Sequence, residues 1–210
     1  MKIALFGATG TIGSRILNEA LARGHAVTVV SRDPSKIVPR PGVVAVAGDI
    51  QDAASIAVAV SGHDAVVSAY GPGKGDPALL SSALRALVAG LRAAAGARLA
   101  VVGGAGSLKV APALDLVDTA TFPAAYKPVA LAHRDALRFI ETVTDVDWSY
   151  LSPAAIVTPG ERTGRFRLGA DELVADAAGK SFISAEDFAV ALLDEVETPA
   201  HVRKRFTLAY

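Results

Sequence analysis

The sequence predicts an α/β fold in which a doubly wound parallel sheet is covered by helices on both faces. Three observations predict it. Short β-branched runs alternate with longer Ala/Leu-rich segments over the first 150 residues, the pattern of repeated β-α-β units. The turn after the first run carries glycines at 7, 10 and 13. The chain, 210 residues with 51% hydrophobic side chains and a mean hydropathy of +0.39, is one domain's worth of protein. A chain of that length buries about 70% of its extended surface on folding, enough for a core without disulfides or a structural metal.

In order along the chain, strands are predicted at Lys2-Phe6, Ala26-Val30, Val43-Ala47, Ala65-Ser68, Arg98-Val102 and Trp148-Leu151. Each is apolar nearly throughout, as strands buried on both faces are. A last strand, Arg205-Ala209, closes the chain. Helices are predicted near Thr11-Arg23, Ala53-Val60, Ala78-Ala95, Pro128-Thr142 and Ala185-Glu195. Gly24 is a helix stop, Asp52 a cap, and Ser184 with Asp187 a capping-box-like start. Glu186, Asp187, Asp194 and Glu195 read as solvated helix positions rather than paired catalytic carboxylates. The stretches 103–127 and 152–180 are rich in Gly, Pro and polar residues, the composition of functional loops. Both follow strands on the carboxyl side of the sheet, where open α/β folds bind ligands.

Composition narrows the partners. Lys+Arg and Asp+Glu balance at 21 each, without a basic block, which argues against nucleic acid or anionic lipid as the main partner. A small molecule is expected instead, bound by a monomer or homodimer. The absence of cysteine removes thiol nucleophiles, zinc ribbons and iron–sulfur ligation. The histidines at 25, 63, 133 and 201 are too scattered for a metal site. The apolar run before Gly7 is too short for a signal peptide, so the cytoplasm is the expected location, and the Ala-rich 78–97 stretch is broken by Ser, Arg and Gly, so no membrane span is expected.

Gly7-Ala8-Thr9-Gly10-Thr11-Ile12-Gly13 carries the strongest chemical signal. Placed between a strand and a helix, the three glycines allow a tight turn, close approach of backbone to a diphosphate, and close packing of helix on strand. The amides of the helix start then face the anion. At the end of the second strand, Arg32 suits a ribose 2′-phosphate bidentately, with Lys36 as a second cation. NADP(H) is therefore favoured over NAD(H), although the Asp33 carboxylate argues mildly for NAD(H). Asp49 is a candidate acceptor for the adenine amino group or a loop cap, and Ile50 a packing partner for the ring. Ala69, Tyr70 and Gly71, in a small-residue loop after the fourth strand, let a cofactor lie against backbone. Gly73-Lys74 fails as a P-loop, because Gly75 follows and the upstream glycine is missing.

Taken together these residues resemble the atypical branch of the short-chain dehydrogenase/reductase superfamily, the NmrA-like and NADH-flavin reductase group. The likeness runs through Gly7-Ala8-Thr9-Gly10-x-x-Gly13, Arg23-Gly24-His25 to Arg32, Gly48-Asp49, Val102-Gly103-Gly104-Ala105-Gly106-Ser107-Leu108, Ser152-Pro153-Ala154-Ala155, Pro159 to Gly164, and Ile183 to Asp187, nearly the whole chain. It implies a Rossmann-like sheet with a dinucleotide at its carboxyl edge, contacts from Gly103, Pro153, Ala154 and Ala155, and a short carboxyl-terminal substrate-binding region within a single 1–210 domain, to which 152–184 contributes.

One departure matters. The superfamily's Tyr-x-x-x-Lys pair is absent, since Ala130 stands four residues after Tyr126 and Lys127 is adjacent to it; neighbours on a helix diverge by about 100° and cannot share a face. In isoflavone-reductase-like relatives a lysine on this helix acts seven residues before an Ile-Glu pair. The same count from Ile140-Glu141 reaches His133, a residue able to donate a proton or hold the cofactor ribose. Tyr126 lies about two turns earlier, and Ser107 resembles the substrate-orienting serine. Arg162, Arg165 and Arg167, interleaved with Phe166 and Leu168, read as a charged ribbon at the substrate mouth or a subunit contact, or else as a solvated hairpin face. No G-x-S-x-G elbow supports a hydrolase. The expected activity is NADPH-dependent hydride transfer to a flavin, quinone or enone. An NmrA-type redox sensor without turnover, and a non-redox isomerase or dehydratase, stand as alternatives.

Overall fold

The computed structural model describes residues 1–73, 75–94 and 96–210; Lys74 and the expected helix end at Ala95 lie outside the described residues. The chain runs β1 (Lys2–Phe6), α1 (Thr11–Ala22), β2 (Ala26–Ser31), β3 (Val43–Ala47), α2 (Ala53–Val60), β4 (Ala65–Ser68), α3 (Leu79–Ala94), β5 (Arg98–Val102), β6 (Lys109–Ala111), β7 (Leu114–Asp115), α4 (Lys127–Ile140), β8 (Trp148–Ser152), β9 (Ile156–Thr158), β10 (Arg167–Gly169), β11 (Phe182–Ser184), α5 (Ala185–Glu197) and β12 (Lys204–Ala209). The predicted strands and helices are all present, with ends shifted by one or two residues.

Among the described residues the main sheet orders its strands β10-β12-β8-β5-β4-β1-β2-β3. Every neighbouring pair is parallel except β10 with β12. The chain winds outward from β1 through β2 to β3, then returns to β4 on the other side of β1, so the winding reverses between β1 and β4. Ligands of open α/β sheets bind at such a reversal, outside the carboxyl ends of the strands.

Alternating side chains feed two cores, as the two-residue period of a strand requires. Ile3 and Leu5 join Ile16 of α1 and Phe188 and Leu192 of α5 on one face. Ala4 and Phe6 join Ile56, Leu87, Ile140 and Trp148 on the other. β3 departs from the expected double burial: it is the edge strand and much of it is exposed, Val44 at 61%.

Local signals act where predicted at two helix ends. Gly24 takes a φ of +79° at the end of α1, a conformation glycine adopts without strain, and Asp52 accepts the Ala54 amide at 2.9 Å. Ser184 caps α5 by accepting the Asp187 amide at 3.0 Å, but Asp187 does not complete a reciprocal box. Its carboxylate is fully buried and accepts the amides of Thr163 and Gly164, each at 2.8 Å, and the Tyr210 hydroxyl at 2.8 Å. Glu195 is likewise buried, not solvated, accepting from Ser149 at 2.7 Å and from the His201 amide at 3.0 Å. Burial pushes its pKa up, but these donors outweigh it and hold the carboxyl below its ordinary value.

The two irregular stretches acquire structure by tertiary contact. Within 103–127, β6 and β7 form a small antiparallel pair between short 3-10 turns. In the tail, β9 pairs with β11 in parallel and β10 extends the main sheet. Arg162 is not free to form a ribbon at the substrate mouth: it binds Glu19 of α1 through two bonds of 2.7 Å. Arg167 donates to the Ala175 and Tyr210 carbonyls.

Candidate active site

The turn after β1 sits at the winding reversal, and its glycines are sterically required. Gly7 has a φ of +82°, and a Cβ there would lie 2.4 Å from the Ala69 carbonyl oxygen. At Gly13 a Cβ would lie 2.0 Å from the Gly7 carbonyl oxygen, so only glycine lets α1 begin this close to β1. The Gly10 amide closes the turn onto the Gly7 carbonyl at 3.1 Å, and no side chain caps the first turn of α1. Its amides are left for an anion, which the positive end of the helix favours.

Above this turn lies an open cleft of about 510 Å³. Thr9, Gly10, Thr11 and Ile12 line its middle. Toward β2 and β3 its walls are Val30, Ser31, Arg32, Ile37, Gly48 and Ile50, and toward β5 they are Ala69, Tyr70, Gly71, Val102, Gly103 and His133. From β2 to β5 it crosses three strand spacings, about 14 Å, a span for two nucleosides joined by a diphosphate. The apolar wall of Val30, Ile37 and Ile50 suits a purine, and the glycines leave room for phosphates against backbone. The residues present fit a nicotinamide dinucleotide.

Arg32 is exposed at the rim of the cleft. Asp33 does not line the cleft; its carboxylate accepts from the Ser35 amide at 3.2 Å and pairs with Lys36 at 3.2 Å. Those partners, the Ser35 hydroxyl first, hold it below the usual carboxylate range. Lys36, exposed and engaged with Asp33, does not line the cleft. Neither does Asp49, whose carboxylate accepts the Gln51 amide at 2.9 Å and so caps its own loop. Pro153 and Ala154 are buried and Ala155 is exposed, all three outside the cleft lining.

Of the three candidate catalytic residues, the structure brings one to the cleft. His133, on α4, packs against Gly104, where a Cβ would lie 2.8 Å from the histidine Cβ. Burial lowers its pKa to about 4, so the imidazole is neutral at pH 7. Tyr126 is 65% exposed in the turn that precedes α4 and does not line the cleft. Ser107 is buried, its hydroxyl accepting from Arg205 at 3.2 Å, and lies outside the lining as well.

Sequence reasoning passed over Ile37 and Tyr150. Ile37 follows a 3-10 turn whose Asp-Pro start is visible, but its burial comes from the core on which that turn packs beside β2 and β3. Tyr150 is 1% exposed and donates its hydroxyl to the His133 carbonyl at 3.0 Å. Gly103 makes room for it, because a Cβ there would lie 2.1 Å from the tyrosine ring. The fully buried WSYLS strand contains the one signal available, a tyrosine whose hydroxyl must find a partner.

Comparison with known proteins agrees with this geometry. The profile of the NAD(P)H-binding family matches residues 7–199. The protein YwnB of Bacillus subtilis is 42% identical over 211 residues, 99% of this chain and 98% of its own. Three solved structures each match 100% of this chain. A Burkholderia pseudomallei protein assigned as exported is 54% identical with a TM-score of 0.93, over 100% of its chain. A Bacteroides thetaiotaomicron protein assigned as an epimerase is 39% identical with a TM-score of 0.92, over 96% of its chain. A Streptococcus pneumoniae protein assigned as an NADH-flavin reductase is 33% identical with a TM-score of 0.87, over 99% of its chain. Among the described residues no helix is long and apolar enough to cross a membrane. With a glycine turn, an uncapped helix start and a cleft spanning four strands matched over nearly its full length, the chain belongs to the NAD(P)H-binding family, in the atypical, NmrA-like branch of the short-chain dehydrogenase/reductase superfamily.

Proposed function

We propose that the protein is an NADPH-dependent reductase that passes hydride to a small conjugated acceptor of the flavin, quinone or enone class. The observation that carries this reading is the cleft itself. It pairs a cation at the β2 end with a neutral imidazole at the β5 end, and the superfamily's Tyr-x-x-x-Lys pair is absent. When bound, the nicotinamide would supply a hydride, leaving NADP⁺. A flavin or quinone takes that hydride and completes its reduction with a solvent proton, so no strong protein acid is required.

The chain's own task is then binding and alignment. Thr9 to Ile12 hold the diphosphate, Val30, Ile37 and Ile50 hold adenine, and Arg32 neutralises a 2′-phosphate. His133, Tyr70 and Gly103 border the reacting end. Holding donor and acceptor in contact is a large part of the barrier reduction in such a reaction. The tail from 152 to 184 contributes to acceptor binding. The Streptococcus neighbour assigned to flavin reduction supports the acceptor class.

Stopped-flow oxidation of NADPH with riboflavin, FMN and a quinone panel tests the reading. Saturable turnover with at least one of them is expected. Tight NADPH binding without turnover of any acceptor would overturn it. A second reading, a non-redox isomerase that keeps its cofactor, draws on the Bacteroides neighbour assigned as an epimerase; it predicts cofactor that co-purifies and is not consumed.

A further inference from the structure

Half-buried His133 and buried Tyr150 form a pair whose hydrogen bonds constrain one another. The Tyr150 hydroxyl lies 3.0 Å from the His133 main-chain carbonyl and 3.4 Å from its Nδ1. A phenol has one proton to give. The carbonyl takes it at the shorter distance, so the phenol oxygen faces Nδ1 as an acceptor, a contact that is favourable only when Nδ1 carries the proton. A neutral imidazole has one N–H, which leaves Nε2 bare. Nε2 has no hydrogen-bond partner among the described residues, nor is it one of the fully buried unsatisfied atoms, and the ring lines the cleft. Its open edge is Nε2.

We propose that Tyr150 is a positioning residue that locks His133 as the Nδ1–H tautomer and presents Nε2 to the cleft as a hydrogen-bond acceptor rather than a proton donor. The lock is steric as well as polar. Gly104 lets the imidazole lie against the chain just past the carboxyl end of β5, and Gly103 lets the phenol ring in beside it. On the side of the ring away from the cleft, the space that Ser68, Tyr70, Tyr150 and His133 border with neighbouring apolar side chains measures only about 10 Å³. Burial keeps the ring neutral, consistent with an acceptor. Such a nitrogen selects for molecules that offer a hydroxyl or amide N–H at the β5 end of the cleft, and a nicotinamide nucleoside carries both. The choice between the two roles open to His133 therefore falls on holding a ligand donor, not on supplying the proton to the product.

The proposal shares the cofactor cleft with the reductase reading, but its test needs neither cofactor nor turnover. In ¹⁵N-histidine-labelled protein without ligand, the His133 Nε2 resonance is expected in the range of an unprotonated imidazole nitrogen and Nδ1 in the N–H range. Tyr150→Phe keeps the ring and removes only the hydroxyl, so the tautomer preference should collapse to a mixture while the remaining amide spectrum is unchanged. A protonated Nε2 in the wild type would overturn the proposal, as would an unaltered tautomer in Y150F. If Y150F fails to fold, the wild-type spectrum alone decides. Failure of NADPH oxidation with every acceptor would sink the reductase reading and leave this result standing.

Discussion

The position that a Cβ on Gly13 would occupy lies 2.0 Å from the carbonyl oxygen of Gly7. Both partners are backbone, so neither can swing aside, and Gly13→Ala must push α1 away from β1. Overpacking of this kind costs about 1–3 kcal/mol, which for a chain of this size lowers Tm by several degrees. The same shift moves the amides of the anion site, so NADPH affinity is expected to fall at least tenfold. Calorimetry with a fluorescence titration of NADPH checks both; unchanged affinity would separate the turn from cofactor binding.

Arg32→Ala is expected to discriminate between cofactors. A charge-assisted hydrogen bond contributes about 1.5–3 kcal/mol, so losing the contact to a 2′-phosphate should weaken NADPH about 10- to 100-fold. NADH, which lacks that phosphate, should change little. Equal losses for both cofactors would assign Arg32 to adenine stacking instead.

Glu19 is held to a pKa of about 2, first by the hydrogen bond from Arg162 and against the cost of its burial, with Arg23 adding to it. In the unfolded chain the carboxyl returns to about 4.3. Between these values the unfolded state binds more protons, so this stabilisation is complete above about pH 4.5 and fades as pH falls through about 2. Arg162→Ala should raise the folded pKa and so remove stability that is present at neutral pH and already fading in acid, making its deficit from the wild type, read from urea unfolding midpoints, larger at pH 7 than at pH 3. A constant difference between variant and wild type at the two pH values would mean that the bridge contributes no proton linkage.

His133 has the same sign of proton linkage, in a higher pH window. Its folded pKa, about 4 through burial, lies below the unfolded value of about 6.5. The unfolded chain takes up the proton first, so His133 subtracts from stability as pH falls from about 6.5 to about 4 and has no such effect above that interval. His133→Gln is accordingly expected to narrow its stability gap from the wild type at pH 4.5. For the same reason kcat/KM of the wild type should show no break near pH 6.5 in a pH–rate profile that can be ascribed to this residue.

What the sequence by itself determined is local. Strand and helix order, the helix stop at Gly24, the cap at Asp52 and the glycine spacing at 7, 10 and 13 all follow from residue periods and from backbone conformations open only to certain residues. Those signals lie within a few positions of one another, and they sufficed to predict the fold and the middle of the cleft. Only the tertiary structure decided which distant residues meet. Tyr150 and His133 are 17 residues apart, and Arg162 meets Glu19 across 143. No local pattern encodes such pairs, because they depend on which strand the sheet places next to which. The same dependence carried Lys36, Asp49, Ser107 and Tyr126 away from the cleft and sealed Asp187 and Glu195 inside. A charged side chain on a helix is legible as charged, but its burial is settled by the segment that folds over it.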